Sequence, residues 1–210
     1  ILAACRRLVH GDNHLRAGRW DGVRIDEPLA GVSVWGSTIG IVGLGQIGRA
    51  VARRARAFGM QVLYHNRNRQ VDAETEFNAT YCPDFSELLA LSDVVSLHCP
   101  LTPATHHLID RAALSQMKST AVLINTARGP VVDESALIEC LSRGGIFAAG
   151  LDVYEHEPKV PTELMALGNV VLAPHLGTAT RNARDAMGMR VIANIEAFLS
   201  TGFPGDQVTA

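Results

Sequence analysis

Six stretches of the chain are apolar almost without interruption: TIGIVG (38–43), QVLY (61–64), DVVSLH (93–98), AVLIN (121–125), FAAGLDV (147–153) and NVVLA (169–173). Short continuous runs of this kind mark strands covered on both faces, because a strand with one wet face would alternate apolar and polar positions. Between the runs lie segments with helical spacing. Ile47, Val51, Ala55 and Phe58 fall on one face, with Arg49, Arg53, Arg54 and Arg56 elsewhere. Asp84 is placed to cap FSELLAL and Asp133 to cap ESALIECLSR, with Gly144 and Gly145 as the stop. A last helix is expected from about Asn182 to Ser200, ending near Gly202. Strand and helix in alternation predict an α/β fold with a doubly wound parallel sheet. Residues 10–37, with Trp20 and Trp35, do not follow the alternation and read as an arm or crossover.

The first turn of this pattern carries chemistry. TIGIVGLGQIGRAV sets Gly43, Gly45 and Gly48 directly after a buried strand and at the start of an amphipathic helix. In that setting one glycine permits the tight turn, the next lets backbone approach a pyrophosphate, and the third lets helix and strand pack closely. The strand QVLY should then end beside the adenosine ribose, where an acid would bind the 2′-hydroxyl of NAD. Asn66 and Arg67 stand there instead, followed by Asn68 and Arg69. A carboxylate repels a 2′-phosphate and a guanidinium binds it, so NADP(H) is the expected cofactor, with NAD(H) possible. Arg67 is expected to touch the phosphate, with Arg69 in support. His65 reads as a partly exposed loop residue.

VLINTARG, GLDVYEHEP and VVLAPHLG share one construction, an apolar strand followed within a few residues by an ionisable group: Arg128, Glu157 and His175. In a parallel sheet all these ends lie along the edge that carries the glycine-rich turn. Arg128 offers a fork that matches a carboxylate, His175 can exchange a proton near neutral pH, and Glu157 can hold the imidazole and raise its pKa. Together they suit reduction of a 2-oxo acid. Asp152, an acid at the end of a buried strand, needs a donor, which a nicotinamide carboxamide could supply.

Composition narrows the partners. The chain has 210 residues, 47% hydrophobic, with a formal net charge of -2. That balance gives no reason to expect nucleic acid or an anionic membrane, and the arginines of the first long helix read as a solvated face. Cys5, Cys82, Cys99 and Cys140 form no paired motif, which fits a reducing cytoplasm and neither zinc nor disulfides. Cys99 reads as a packing residue, with His98 directed to the opposite face of its strand. His106 and His107 are adjacent and should not point easily at one metal, so no metal site is expected. ILAACRRL begins as a helix already in progress, and an N-terminal portion is expected to be absent.

GIVGLGQIGRA, LINTARGPVVDESAL, AAGLDVYEHEP and APHLGTAT resemble the nucleotide-binding half of the D-isomer-specific 2-hydroxyacid dehydrogenases. YHNRNR with ETEFNATYC is most similar to the NADPH-preferring glyoxylate, hydroxypyruvate and 2-ketogluconate reductases of that family. The resemblance implies a Rossmann dinucleotide-binding domain whose N-terminal substrate domain is missing from this chain. It makes Arg128 the binder of substrate carboxylate and carbonyl, His175 the acid-base residue and Glu157 its partner. It adds cofactor contacts at Gln46, Ile47, Cys99, Pro100, Thr126, Ala127, Arg128, Asp152, His175 and Gly177. It divides the chain into a linking helix and dimerisation arm at 1–37, a Rossmann core at 38–181, and a C-terminal helix and tail at 182–210, and it implies a homodimer. Two other readings stay open. One is an NAD-dependent enzyme of the same family. The other is a dinucleotide-sensing scaffold like the C-terminal-binding-protein corepressors, which carry an acid where Asn66 stands and a tryptophan shortly after the site histidine.

Overall fold

The computed structural model describes residues 1–23 and 29–207; parts of the expected arm and tail, 24–28 and 208–210, lie outside the described residues. The chain divides into two compact units, Ile1–Pro174 and His175–Ala210. In the first, α1 (Leu2–Cys5) and α2 (Leu8–Arg16) precede β1 (Thr38–Val42), α3 (Gln46–Ala57), β2 (Gln61–His65), α4 (Val71–Phe77), β3 (Ala79–Tyr81), α5 (Phe85–Leu91) and β4 (Val94–Leu97). There follow α6 (Arg111–Gln116), β5 (Val122–Asn125), a 3-10 turn (Gly129–Val131), α7 (Glu134–Ser142), β6 (Ala148–Leu151), α8 (Thr162–Met165) and β7 (Val170–Leu172). The second unit holds one long helix, α9 (Arg181–Thr201), capped by Thr180 and ended by Gly202 in the left-handed region.

The strands form one sheet in the order β3-β2-β1-β4-β5-β6-β7, every pairing parallel. The chain starts in the middle, winds to one edge, and returns to β4 beside β1 before winding the other way. A crevice therefore opens past the carboxyl ends of β1 and β4, the topological switch point where ligands bind in such sheets. Two apolar clusters cover the two faces. One gathers Leu88, Leu97, Ile109, Leu123 and Leu137, the other Ile39, Ile41, Met60, Tyr64 and Phe77. All four residues of β4 and all four of β5 are buried, which is the double coverage the continuous apolar runs imply.

The expected caps form. Asp84 accepts from the amide of Ser86, and Asp133 from the amide of Ala136 at 2.9 Å. Two details differ from the sequence reading. The face that α3 buries is Gly48, Ala52 and Ala55, whereas Ile47 and Phe58 are exposed. Close approach of helix to strand admits only small side chains there, so Val51 and Phe58 fall on a neighbouring stripe beside Ile1, Leu2 and Val34, and Ile47 faces outward. The three-residue edge strand β3 and the helix α2 inside the expected arm carry too short or too polar a pattern to stand out.

Candidate functional site

Three glycines build the crevice, each for a different reason. Gly43 has φ +97°, and a Cβ there would lie 2.7 Å from the amide nitrogen of Cys99, where the chain leaves β4. A Cβ on Gly48 would sit 2.3 Å from the carbonyl oxygen of Gly43. Both glycines are demanded by the protein's own packing. Gly45 meets nothing within 4 Å, so its missing side chain leaves room for something outside the chain. It is also the N-cap of α3 and no side chain caps that end. Exposed Gln46 and Ile47 follow, in the first turn of the helix. Unpaired amides at the positive end of a twelve-residue helix, beside open space, are suited to a pyrophosphate.

The turn is held from β2. The Oδ1 of Asn66 accepts from the amide of Leu44 at 2.7 Å, which ties the glycine-rich turn to the strand end where a 2′-substituent would lie. Sequence reasoning had paired Asn66 with the ribose phosphate; the structure gives it this second, internal task. Arg69 is held by Glu74 through two 2.8 Å hydrogen bonds, and Glu74 also accepts from the hydroxyl of Tyr64 at 2.6 Å. The Arg69 and Tyr64 partners hold the Glu74 carboxyl down to about 2, and burial first, with Glu74 second, pushes the Tyr64 phenol up to about 12. Tyr64 also accepts from the Gln70 amide, so the loop 66–70 is stapled at its far end. Arg67 is exposed and makes no hydrogen bond or ion pair among the described residues. His65 lies in β2, partly buried, with Nδ1 on the carbonyl of Cys82 at 2.9 Å. The arginines of α3 meet acids of α4: Arg49 pairs with Asp72 and Arg53 with Glu76.

Beyond β4, Cys99 is buried and Pro100 exposed. Burial pushes the Cys99 thiol up, which makes it a poor nucleophile. His98 bonds Ser96 Oγ through Nε2 at 2.9 Å while its Nδ1 is buried without a partner, and burial holds the ring down to about 4.

The β5 edge is built by Asn125, which sequence reasoning missed. Buried at the strand end, it donates from Nδ2 to the carbonyl of Arg128 and accepts at Oδ1 from the amide of Ala127. That closes Thr126, Ala127 and Arg128 into a tight loop with Thr126 and Arg128 exposed. A Cβ on the next residue, Gly129, would lie 1.8 Å from the carbonyl oxygen of Tyr154, so the loops after β5 and β6 touch backbone to backbone. The signal for Asn125 was available: an amide closing an apolar strand must bond its own loop or remain buried and unpaired.

After β6, Asp152 is buried and its amide donates to the carbonyl of Asn125 at 3.0 Å. The Oε1 of exposed Glu157 accepts from the amide of Tyr154, whose hydroxyl donates to the carbonyl of Ala173 past the end of β7. His175, with φ +53°, opens the second unit three residues beyond β7, with Gly177 two residues on. Arg128, Asp152 and Glu157 belong to the first unit, on neighbouring loops at the carboxyl edge of the sheet.

One expectation needs correction. His106 and His107 do not diverge: their rings stack with centroids 4.0 Å apart, and with Glu155 their ligand atoms lie within 4.8 Å of one another. The reason is the left-handed backbone at His107, φ +50°, which turns successive side chains to the same side.

A family model for the D-isomer specific 2-hydroxyacid dehydrogenase, NAD binding domain, matches residues 1–177. The chain belongs to this family. It is 47% identical to the glyoxylate reductase of Thermococcus litoralis over 211 residues, which is 99% of this chain and 63% of that relative. Among solved structures, a glyoxylate reductase from Paecilomyes thermophila is similar with TM-score 0.90 and 41% identity, over 99% of this chain and 61% of that one. An NADPH-dependent glyoxylate/hydroxypyruvate reductase from Sinorhizobium meliloti, in complex with NADP and malonate, is similar with TM-score 0.90 and 38% identity, over 99% and 64%. The chain thus spans about two thirds or less of the length of these relatives. Among the described residues no helix is long and apolar enough to cross a membrane.

The family's dinucleotide crevice gives two expected outcomes. Gly45→Ala should lower the melting temperature only by the small cost of a poorer N-cap while weakening dinucleotide binding, whereas Gly43→Ala should lower the melting temperature much further; calorimetric titration and thermal melts on both variants separate a ligand-facing glycine from a packing one. His98 generates a pH effect. Its folded pKa lies near 4, below the ordinary 6.5, so as pH falls from 6.5 toward 4 the unfolded chain takes up a proton that the folded chain refuses. Stability should fall through that window, and in urea titrations His98→Gln should flatten the fall relative to the parent.

Proposed function

We propose that this chain is the cofactor-binding part of an NADPH-dependent reductase that converts a short 2-oxo acid, of the glyoxylate, hydroxypyruvate or 2-ketogluconate kind, to the D-2-hydroxy acid. One observation carries the cofactor half of this reading. At the end of β2 there is no carboxylate, Asn66 is turned in to brace the glycine-rich turn, Arg69 is held by Glu74, and Arg67 is the cation that stands exposed with no hydrogen bond or ion pair among the described residues. A guanidinium in that place favours a 2′-phosphate by on the order of 1.5 to 3 kcal/mol, about ten- to hundredfold in affinity.

The residues fit a nicotinamide dinucleotide. Gly45, Gln46 and Ile47 would take the pyrophosphate at the start of α3, with Gly43 and Gly48 shaping the turn. Arg67 would take the 2′-phosphate, with Asn66 holding the turn beside it. Cys99, Pro100, Thr126 and Ala127 would flank the cofactor, Asp152 would receive the carboxamide amine, and His175 and Gly177 are assigned to it by likeness to the family. Bound NADPH supplies the hydride that adds to the substrate's carbonyl carbon.

The chain's own residues do the rest. Arg128 binds the substrate's carboxylate and carbonyl, for which its fork is matched. His175 gives a proton to the carbonyl oxygen, with Glu157 as its partner. Pro174 restricts the backbone before His175, and the Tyr154 hydroxyl on the carbonyl of Ala173 fixes the strand end that leads there. The four free cysteines, all buried, accord with a reducing cytoplasm, and we assign a homodimer by likeness to the family.

Two measurements test the reading. Arg67→Ala should weaken NADPH binding by about ten- to hundredfold and leave NADH binding nearly unchanged; equal loss for both cofactors, or a parent that binds NADH more tightly, would overturn the NADP assignment. In the longest natural chain that carries this sequence, His175→Asn should cut glyoxylate-dependent NADPH oxidation by roughly 10²- to 10⁴-fold with cofactor affinity retained. Wild-type turnover in that variant would remove His175 from the mechanism, and absence of any turnover in the parent would favour a dinucleotide-sensing scaffold.

A further inference from the structure

The loop from 98 to 110 and the loop after β6 meet at His107 and Glu155, and three side chains with metal-binding chemistry face one another there. His106 is exposed; His107 and Glu155 are partly buried. His107 Nε2 and Glu155 Oε1 are 2.8 Å apart, and the ligand atoms of all three residues lie within 4.8 Å of one another. A tetrahedral ion with bonds of about 2.0 to 2.2 Å spaces its ligands roughly 3.3 to 3.5 Å apart. The histidine and carboxylate need open by only a fraction of an ångström, and His106, at the surface, is able to swing inward.

Glu155 and His107 have support behind them. The Oε2 of Glu155 accepts from the amide of Glu134 at 3.3 Å, and Glu134 returns the contact by accepting the Glu155 amide at 3.4 Å. The amide of His107 donates to the carbonyl of Pro130 at 2.8 Å. These bonds fix the Glu155 carboxylate and the His107 backbone, the outer contacts that orient ligands in metal sites. The left-handed backbone at His107 points the same way. A residue other than glycine is held there at a cost, and the consequence is that two consecutive imidazoles share one side of the chain.

We propose that His106, His107 and Glu155 form a binding site for a divalent transition metal of the zinc class, with the fourth position open to water. Two imidazoles and one carboxylate suit Zn²⁺, Ni²⁺ or Cu²⁺ over Mg²⁺ or Ca²⁺, which take oxygen ligands. The ion would join the loop that begins with Cys99 and Pro100 to the loop that carries Asp152 and Glu157, in place of the present His107–Glu155 hydrogen bond. It has no part in the proposed reduction, and stands or falls apart from it.

The test is a calorimetric titration of the chain with Zn²⁺ alone, beside melts with and without the ion. One ion per chain should bind and raise the melting temperature. His106→Ala, an exposed position whose loss leaves the fold intact, should weaken the site at least about tenfold and cancel the melting shift, and Glu155→Gln should do the same. His10 and His14, one turn apart on α2, form the competing pair, so His14→Ala should change nothing. Zinc affinity unchanged by His106→Ala, or lost with His14→Ala, or no stoichiometric binding to the parent, each overturns the proposal and leaves His107–Glu155 as a clamp between two loops.

Discussion

Gly43 is where the two halves of the sheet part company. β1 ends there, the chain turns with φ +97°, and the backbone leaving β4 passes so close that a single added methyl would strike the amide of Cys99. Close passage at this point brings the ends of β1 and β4 side by side, and the crevice exists because the connections from these two strands leave in opposite directions. Gly48 repeats the constraint within the first turn of α3, so helix, turn and both strands are locked into one arrangement before any ligand is considered. The small buried face of α3 follows from the same demand, as does the displacement of Ile47 and Phe58 onto the surface.

From this fixed point the cofactor-reading loop is positioned by polar contacts. Asn66 ties the turn to β2, and the Tyr64, Glu74 and Arg69 cluster ties the far end of the loop to α4. Ion pairs between α3 and α4, Arg49 to Asp72 and Arg53 to Glu76, add a second attachment on the solvent side. Exposed pairs of this kind contribute little to stability individually; their effect is on where the loop can go. With both ends held and Arg69 neutralised by Glu74, the positive charge at the loop's apex belongs to Arg67.

Much of this was legible in the sequence because much of it is locally determined. Continuous apolar runs declare buried parallel strands wherever they fall, and Asp84 and Asp133 cap their helices through contacts two and three residues away. What was not legible depends on partners distant in sequence. Nothing near Asn66 reveals that its side chain will meet Leu44, so the sequence offered it only to the 2′-phosphate, and the expectation that Arg67 leads with Arg69 in support could not include the Glu74 carboxylate that holds Arg69. β3 escaped notice because three residues at a sheet edge carry too little pattern. The convergence of His106 and His107 has no local signature: in ordinary backbone neighbouring side chains diverge, and only the left-handed φ of His107 brings them to one side.

The loops along the carboxyl edge show how one sheet can carry several chemistries without losing its frame. Asn125 closes the Arg128 loop on itself, Gly129 presses that loop against Tyr154, and Tyr154 in turn holds both Glu157 and the carbonyl of Ala173. Each exposed ionisable group is therefore backed by a buried residue whose bonds are already satisfied, and it is the backing that fixes where the group stands. Substituting Arg128 or Glu157 changes what the edge can bind, whereas substituting Asn125, Gly129 or Tyr154 changes whether the edge has a shape at all. That asymmetry follows from burial: an exposed guanidinium leaves solvent behind when removed, while a lost partner of Asn125 leaves a polar atom with neither protein nor water to meet it.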